Sequence, residues 1–343
     1  MNPYFSDILS QPAALRNAVE KFSPTLLLPI INRIHSGDFD RIVITGMGAS
    51  YNAAYSMYLE LSHLPIPVML VNGAELVHYM DGLIGPRTLL WVNSQSGRSA
   101  ELVHLLERIK PTPPTCILAC VNDETSPLSI AADIRLPIHA GPESTVSTKT
   151  YINTLAVNLL AARQVTGQEI EASQKAMLTA ANEMESFLSD WQARVHELDS
   201  LLGDFETLLV LGRGASMGAV WNGALINKEA AKFSLEGMNA AEFRHGPLEL
   251  AEPGLCTLIF AGSSTTSPLN HNLGAEIMAH DGRVIWLDAM TDSKLPTFTI
   301  PVVESVRPVT EILPMQLLTI ALANRRGVEP GIFRYIGKVT TSE

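Results

Sequence analysis

The sequence predicts an α/β protein built from two doubly wound parallel-sheet lobes in tandem, with a helical connector and an irregular C-terminal tail. Three observations carry this. Residues 42–50, Ile-Val-Ile-Thr-Gly-Met-Gly-Ala-Ser, recur as residues 208–216, Leu-Leu-Val-Leu-Gly-Arg-Gly-Ala-Ser. At a similar offset, Thr-Leu-Leu-Trp-Val-Asn-Ser-Gln-Ser (88–96) is matched by Thr-Leu-Ile-Phe-Ala-Gly-Ser-Ser-Thr (257–265). In both halves short continuous apolar runs alternate with helical stretches, the pattern of parallel strands covered on both faces.

Taken in order, residues 1–29 read as a helical segment and residues 30–167 as the first lobe. Its strands include the run before Gly46, residues 88–93 and Thr-Cys-Ile-Leu-Ala-Cys (115–120). Residues 168–203 form the connector. Met177, Ala181, Met184, Leu188, Trp191, Val195 and Leu198 recur there at alternating steps of four and three, one apolar stripe on one amphipathic helix. The second lobe spans 204–328 and its third strand is Val-Ile-Trp-Leu-Asp (284–288). Residues 329–343 carry Pro and Gly without a helical period and read as the tail, which by position alone could be a frayed end.

Composition narrows the function. The chain has 343 residues, 46% hydrophobic and 17% charged, with a formal net charge of −11. That is ordinary folded material, long enough for two cores. It lacks the clustered Lys and Arg that neutralise nucleic-acid phosphates, so no nucleic-acid partner is expected. Three cysteines, Cys116, Cys120 and Cys256, make neither a disulfide framework nor a zinc knuckle. The N-terminus lacks the charged start and apolar stretch of a signal peptide. No apolar run is expected to reach the ~20 residues that span a bilayer. A soluble, cytoplasmic protein is expected, with no membrane partner.

The chemistry concentrates in a few loops. Ser94-Gln95-Ser96-Gly97-Arg98-Ser99 follows a strand and precedes a helix starting near Ala100. Hydroxyls and exposed N–H groups at a helix start suit a phosphate, although plain N-capping by serine accounts for the same residues. Ser50, after Gly46 and Gly48, is expected at the neighbouring strand end. Ser144-Thr145-Val146-Ser147-Thr148-Lys149 also precedes a helix. The Gly-x-Gly pairs lack the third glycine of a dinucleotide site, and no Walker lysine pattern is present. In the second half, Glu229 lies on an apolar helix and His245 stands before Gly246-Pro247. Both are candidate acid–base groups. Taken alone, such a Glu is usually a solvated helix residue and such a His more often a structural one.

The order of these motifs is more specific than any one of them. Ser-Gln-Ser-Gly-x-Ser, the Ser-Thr-Lys loop, the Lys-Glu helix, Glu-x-x-His-Gly-Pro and a terminal Lys-Val-Thr-x-x-Glu follow one another. From about residue 30 to the end, the chain resembles the SIS (sugar isomerase) family. It is similar to the isomerase half of glucosamine-6-phosphate synthase and to stand-alone SIS-type glucosamine-6-phosphate deaminases. The resemblance implies that Ser50, Ser94, Gln95, Ser96 and Ser99 bind a sugar phosphate and that Val146 and Ser147 line the sugar. It implies Glu229 as the base between C1 and C2, His245 as the ring-opening group contributed by the partner of a homodimer, and Lys338 as the amine that can form an imine with the open-chain sugar. No metal or other cofactor is called for.

Departures qualify the resemblance. The synthase's helix carries a further Glu and a further Lys facing the site, where this sequence has Asn222 and Ile226. Arg98 stands where an acidic residue is common in the synthase loop. The chain opens with Met-Asn and has no cysteine before Cys116, so glutamine hydrolysis is not expected. The expected function is a phosphosugar isomerase/deaminase converting glucosamine 6-phosphate to fructose 6-phosphate and ammonia. The alternatives are another SIS isomerase, a deglycase for a fructosamine phosphate, and a noncatalytic sugar-phosphate sensor. A regulator with a helix-turn-helix is not expected, because the ~30 residues before the first strand are too few and too acidic.

Overall fold

The computed structural model describes residues 2–342. The chain begins with α1 (Pro3–Leu9), α2 (Gln11–Lys21) and α3 (Leu28–His35). It continues through β1 (Arg41–Gly46), α4 (Gly48–Ala53), α5 (Tyr55–Leu61), β2 (Val68–Asn72), α6 (Gly73–His78), β3 (Thr88–Asn93), α7 (Ala100–Ile109), β4 (Cys116–Val121), α8 (Pro127–Ala131), β5 (Ile134–Pro137) and α9 (Lys149–Val165). Helices α10 (Ile170–Leu188) and α11 (Trp191–Leu202) follow. The plan then repeats with β6 (Thr207–Gly212), α12 (Met217–Ala230), β7 (Glu236–Asn239), α13 (Ala240–Phe243), β8 (Leu255–Phe260), α14 (Ser267–Ala279), β9 (Arg283–Asp288), β10 (Thr297–Thr299) and α15 (Ile312–Arg325).

The repeat seen in sequence is a repeat in topology. The two five-stranded sheets run β2-β1-β3-β4-β5 and β10-β9-β8-β6-β7, the same order read from opposite ends. All recorded pairings are parallel. Each sheet switches direction beside its first strand, where ligands bind in doubly wound folds. Strands β3 and β8 are buried at every position, which explains their mainly apolar sequences. Helices α9 and α15 are buried nearly all round and act as core helices.

Two compact units result. The first lobe comprises residues 13–178 with 334–342, and the second comprises residues 2–12 with 179–333. The N-terminal segment is therefore shared rather than separate. In the second lobe the Tyr4 hydroxyl lies 2.9 Å from Thr319 Oγ1, and the buried Gln11 and Gln316 amides exchange hydrogen bonds of 2.9 and 2.8 Å.

One expectation needs correction. The connector is not one helix but α10 and α11, broken at residues 189–190. Ser189 Oγ bonds back to Ser186 O at 2.7 Å, a side-chain bond that competes with helix continuation. Six positions of the apolar stripe stay buried across the break and Trp191 is half-buried. The stretch Glu304–Arg325 is long and apolar enough to cross a membrane, and its apolar window is wholly buried in the protein. Arg307, Glu311 and Gln316 interrupt it in sequence, so it does not read as an apolar run. The three cysteines are buried. Desolvation raises the Cys116 thiol to about 11 and that of Cys256 to about 12, and pushes Cys120 up further, so all three are unreactive core thiols.

Candidate functional site

In the first lobe the carboxyl ends of β1 and β3 are locked together. A Cβ on Gly46 would come within 2.8 Å of Asn93 O, so only glycine permits the approach. Asn93 Nδ2 donates to Thr45 O at 3.3 Å, and Asn158 Nδ2 donates to Asn93 Oδ1 at 2.7 Å. Trp91 Nε1 donates in turn to Asn158 Oδ1 at 3.1 Å. From these ends emerge the half-exposed Ser50, on α4, and the Ser94–Ser99 loop.

The loop is folded by its own groups. Ser94 Oγ accepts from Gly97 N at 3.0 Å and Ser96 Oγ from Arg98 N at 3.2 Å. Gln95 O accepts from Asn122 N at 3.1 Å. Gly97 has φ +59°, and a Cβ there would fall 2.1 Å from Ser126 Oγ. Ser99 is the N-cap residue of α7, yet its hydroxyl makes no capping bond. Capping thus does not explain Ser99, whose hydroxyl stands at the positive end of a ten-residue helix. Arg98 is engaged elsewhere: its guanidinium reaches Asp123 Oδ2 at 2.9 and 3.1 Å. Bonds from Thr125, then Arg98, hold the Asp123 carboxyl below its usual range.

The third loop meets the tail. Val146 is buried and Ser147 half-exposed, with Thr150 Oγ1 3.4 Å from Ser147 Oγ. Lys338 Nζ bonds to Glu143 Oε2 and, at 2.6 Å, to Thr145 O. Two residues later, Thr340 O accepts from Ala100 N, the first residue of α7, at 3.1 Å. The tail therefore touches both the Ser-Thr-Lys loop and the start of the α7 helix. Glu143 was not legible as a site residue. Its one local signal is an acid a few residues ahead of a helix start, which the helix dipole favours. Burial alone would raise its carboxyl, but Lys338 and bonds from Thr150 and Thr148 outweigh that and hold it below the usual range.

The second lobe carries the remaining groups and does not bring them together. Helix α12 leaves the carboxyl end of β6 and runs back along the sheet for ~21 Å, so Glu229 in its last turn stands near the entry to β7. There Lys228 Nζ donates to Leu235 O at 2.5 Å. His245 follows β7 and α13 at the opposite, carboxyl edge. It is exposed, with its N–H on Glu242 O at 2.9 Å, before Gly246 at φ +133°. Asn222, Ile226 and Glu229, spaced four and three apart, share one face of α12. Asn222 is fully buried and neither amide atom has a hydrogen-bond partner among the described residues. A cavity of about 420 Å³ between α11 and α15, lined by Trp191, His196 and Arg325 among others, contains none of the candidate catalytic or phosphate-binding residues.

Comparison with known proteins agrees with this architecture. Residues 38–163 and 201–325 each match the family described as SIS domain. Over 351 aligned residues, covering 98% of this chain, the sequence is 31% identical to glutamine–fructose-6-phosphate aminotransferase [isomerizing] of Pyrococcus horikoshii. The chain spans 57% of that relative's length. Among solved structures, the C-terminal domain of glucosamine-fructose-6-phosphate aminotransferase from Francisella tularensis superposes with a TM-score of 0.85 at 22% identity, covering 96% of this chain and 98% of that one. Glucosamine-6-phosphate deaminase from Thermotoga maritima gives a TM-score of 0.77 at 18% identity, covering 98% and 99%. At these identities the structures establish the shared fold.

Proposed function

The chain belongs to the SIS domain family, and on that premise we propose that it is a phosphosugar isomerase/deaminase converting glucosamine 6-phosphate and water to fructose 6-phosphate and ammonia. One observation carries the reading. The fold returns Lys338 from the end of the chain to the first lobe, beside the Val146–Ser147 loop, with Thr340 on the helix that follows the serine loop.

The roles follow from chemistry. Ser50, Ser94, Gln95, Ser96 and Ser99 hold the phosphate through hydroxyls, backbone N–H groups and the start of α7. His245 opens the ring. Glu229 removes the proton from C2 and returns it to C1, which turns the C2 amine into a C2 imine. The Lys338 amine adds to that carbon and ammonia leaves. Water then hydrolyses the lysine imine, releasing the ketose and restoring the amine. Because Glu229 and His245 stand at opposite edges of one sheet, a homodimer in which His245 serves the partner's site suits this scheme.

A second reading rests on α12. Asn222 and Ile226 share the Glu229 face and carry no charge, which favours a sugar held without a carboxylate–ammonium pair, as in a simple aldose–ketose isomerase or a fructosamine-phosphate deglycase. Ammonia release and ketose formation, measured over phosphorylated amino sugars, aldoses and fructosamines, separate these. Ammonia from glucosamine 6-phosphate supports the deaminase. Turnover of an aldose phosphate alone selects the isomerase. Binding without turnover of any substrate leaves a sensor.

A further inference from the structure

We propose that Glu143 is the positioning residue for Lys338, a buried carboxylate whose charge fixes the amine against the sugar-lining loop and pins the tail across the first turn of α7. This deepens the functional reading above and rests on it for the role of Lys338.

The Glu143 side chain has no solvent exposure. Its Oε1 accepts from Thr148 N at 2.8 Å, Thr148 Oγ1 at 3.0 Å and Thr150 N at 3.1 Å, and its Oε2 from Thr150 Oγ1 at 2.6 Å. These four donors are neutral and local. An amide oxygen could accept from the same groups at Oε1, so capping α9 does not by itself call for a buried negative charge. A charge in that position is costly unless a cation meets it. The cation is Lys338, 195 residues away in sequence. The residue type at 143 is therefore explained by the tail lysine and not by the helix alone.

Asn2 and Ala230 hold the tail at residues 329–331, and beyond them the described residues record few other anchors. Residues 326–342 contain no helix or strand, and Tyr335 and Ile336 are exposed. Ordering a segment costs backbone entropy at every residue, so the contacts that hold it are individually consequential. Two of them are the Lys338 pair and the Thr340–Ala100 bond. Among the described residues Nζ has two acceptors, Glu143 and Thr145 O, which leaves its third N–H for a sugar oxygen. Glu143, Thr145, Val146 and Ser147 lie on one short loop, so one anchor sets the amine and the sugar-lining residues together.

The test is pulsed acylation of the full chain with acetic anhydride, reading each lysine by mass spectrometry, with circular dichroism to check folding. In the unaltered protein Lys338 reacts slowly relative to the exposed Lys294. In Glu143→Gln its reactivity rises roughly tenfold or more, the scale of one charge-assisted hydrogen bond, and Glu143→Asp restores part of the protection. Equal labelling of Lys338 in the unaltered and Gln proteins, both folded, overturns the proposal. Should Glu143→Gln fail to fold, Lys338→Met leaves the α9 cap intact, and tryptic cleavage after Arg334 then rises by a similar factor. Unchanged cleavage also overturns it. Neither readout needs substrate, so both stand apart from the deaminase reading. Where turnover of glucosamine 6-phosphate is measurable, Glu143→Gln lowers it in the parent and adds nothing in Lys338→Met, whereas a purely structural role costs the same in both backgrounds.

Discussion

Replacing Glu311 by Gln should stabilise the protein above neutral pH and leave it nearly unchanged in acid. Glu311 sits at the start of α15 with no exposed surface. Ser216 Oγ donates to its Oε1 at 3.0 Å, and Arg307 Nη1 lies 3.6 Å from the same oxygen. Oε2 has no hydrogen-bond partner among the described residues, so a proton placed there disturbs nothing. Desolvation dominates over Arg307 and Ser216 and raises the carboxyl from the ordinary 4.5 to about 7. A group raised on folding contributes stability that is complete below its unfolded value and lost as pH climbs through the folded one. The window is therefore about 4.5 to 7, and at about 1.4 kcal/mol per unit the loss is about 3 kcal/mol. The amide mimics the neutral acid, so at pH 8 the variant should exceed the parent by up to that amount, and at pH 4.5 the two should coincide. Urea unfolding of both proteins from pH 4.5 to 8 reads the difference. Parallel pH profiles, or a variant less stable at pH 8, would show that the Arg307 pair outweighs desolvation.

Four further outcomes are expected. Gly97→Ala should cost about 2–4 kcal/mol, from the left-handed φ and the clash with Ser126, and weaken hexose-phosphate binding measured by calorimetry; unchanged affinity places the phosphate elsewhere, for example against Ser263 and Ser264. Glu229→Gln should bind substrate nearly normally and turn over ~100-fold more slowly or worse; normal kinetics in a folded variant assign the proton transfer to another group. Lys338→Arg keeps a cation for Glu143 but cannot form an imine, so turnover should fall by at least ~100-fold and borohydride trapping of sugar on residue 338 should disappear; persistent turnover in the arginine variant removes the imine from the mechanism. Mixing inactive His245→Ala and Glu229→Gln chains should recover activity in exchanged dimers, because one composite site regains both groups, and no recovery after verified exchange means each chain builds its own site.

Periodicity and repetition determined the fold from the sequence alone. Two copies of Gly-x-Gly-Ala-Ser after apolar runs mark two first strands, and strands buried on both faces are mainly apolar, so β1, β3, β6 and β8 were legible. The serine loop was legible because hydroxyls cluster within six residues. Tertiary structure decided what depends on distant partners. Ser189 folding back on Ser186 splits the connector, and Tyr4 and Gln11 tie the N-terminus to α15 in the second lobe. Only the folded chain sets Arg98 on Asp123 and Glu143 on Lys338. It also puts Glu229 and His245 at opposite edges of one sheet, although only 16 residues separate them. Local patterns record the period of an element and the chemistry of its loop. A charge records nothing about its counter-ion until packing excludes water and makes the pairing obligatory.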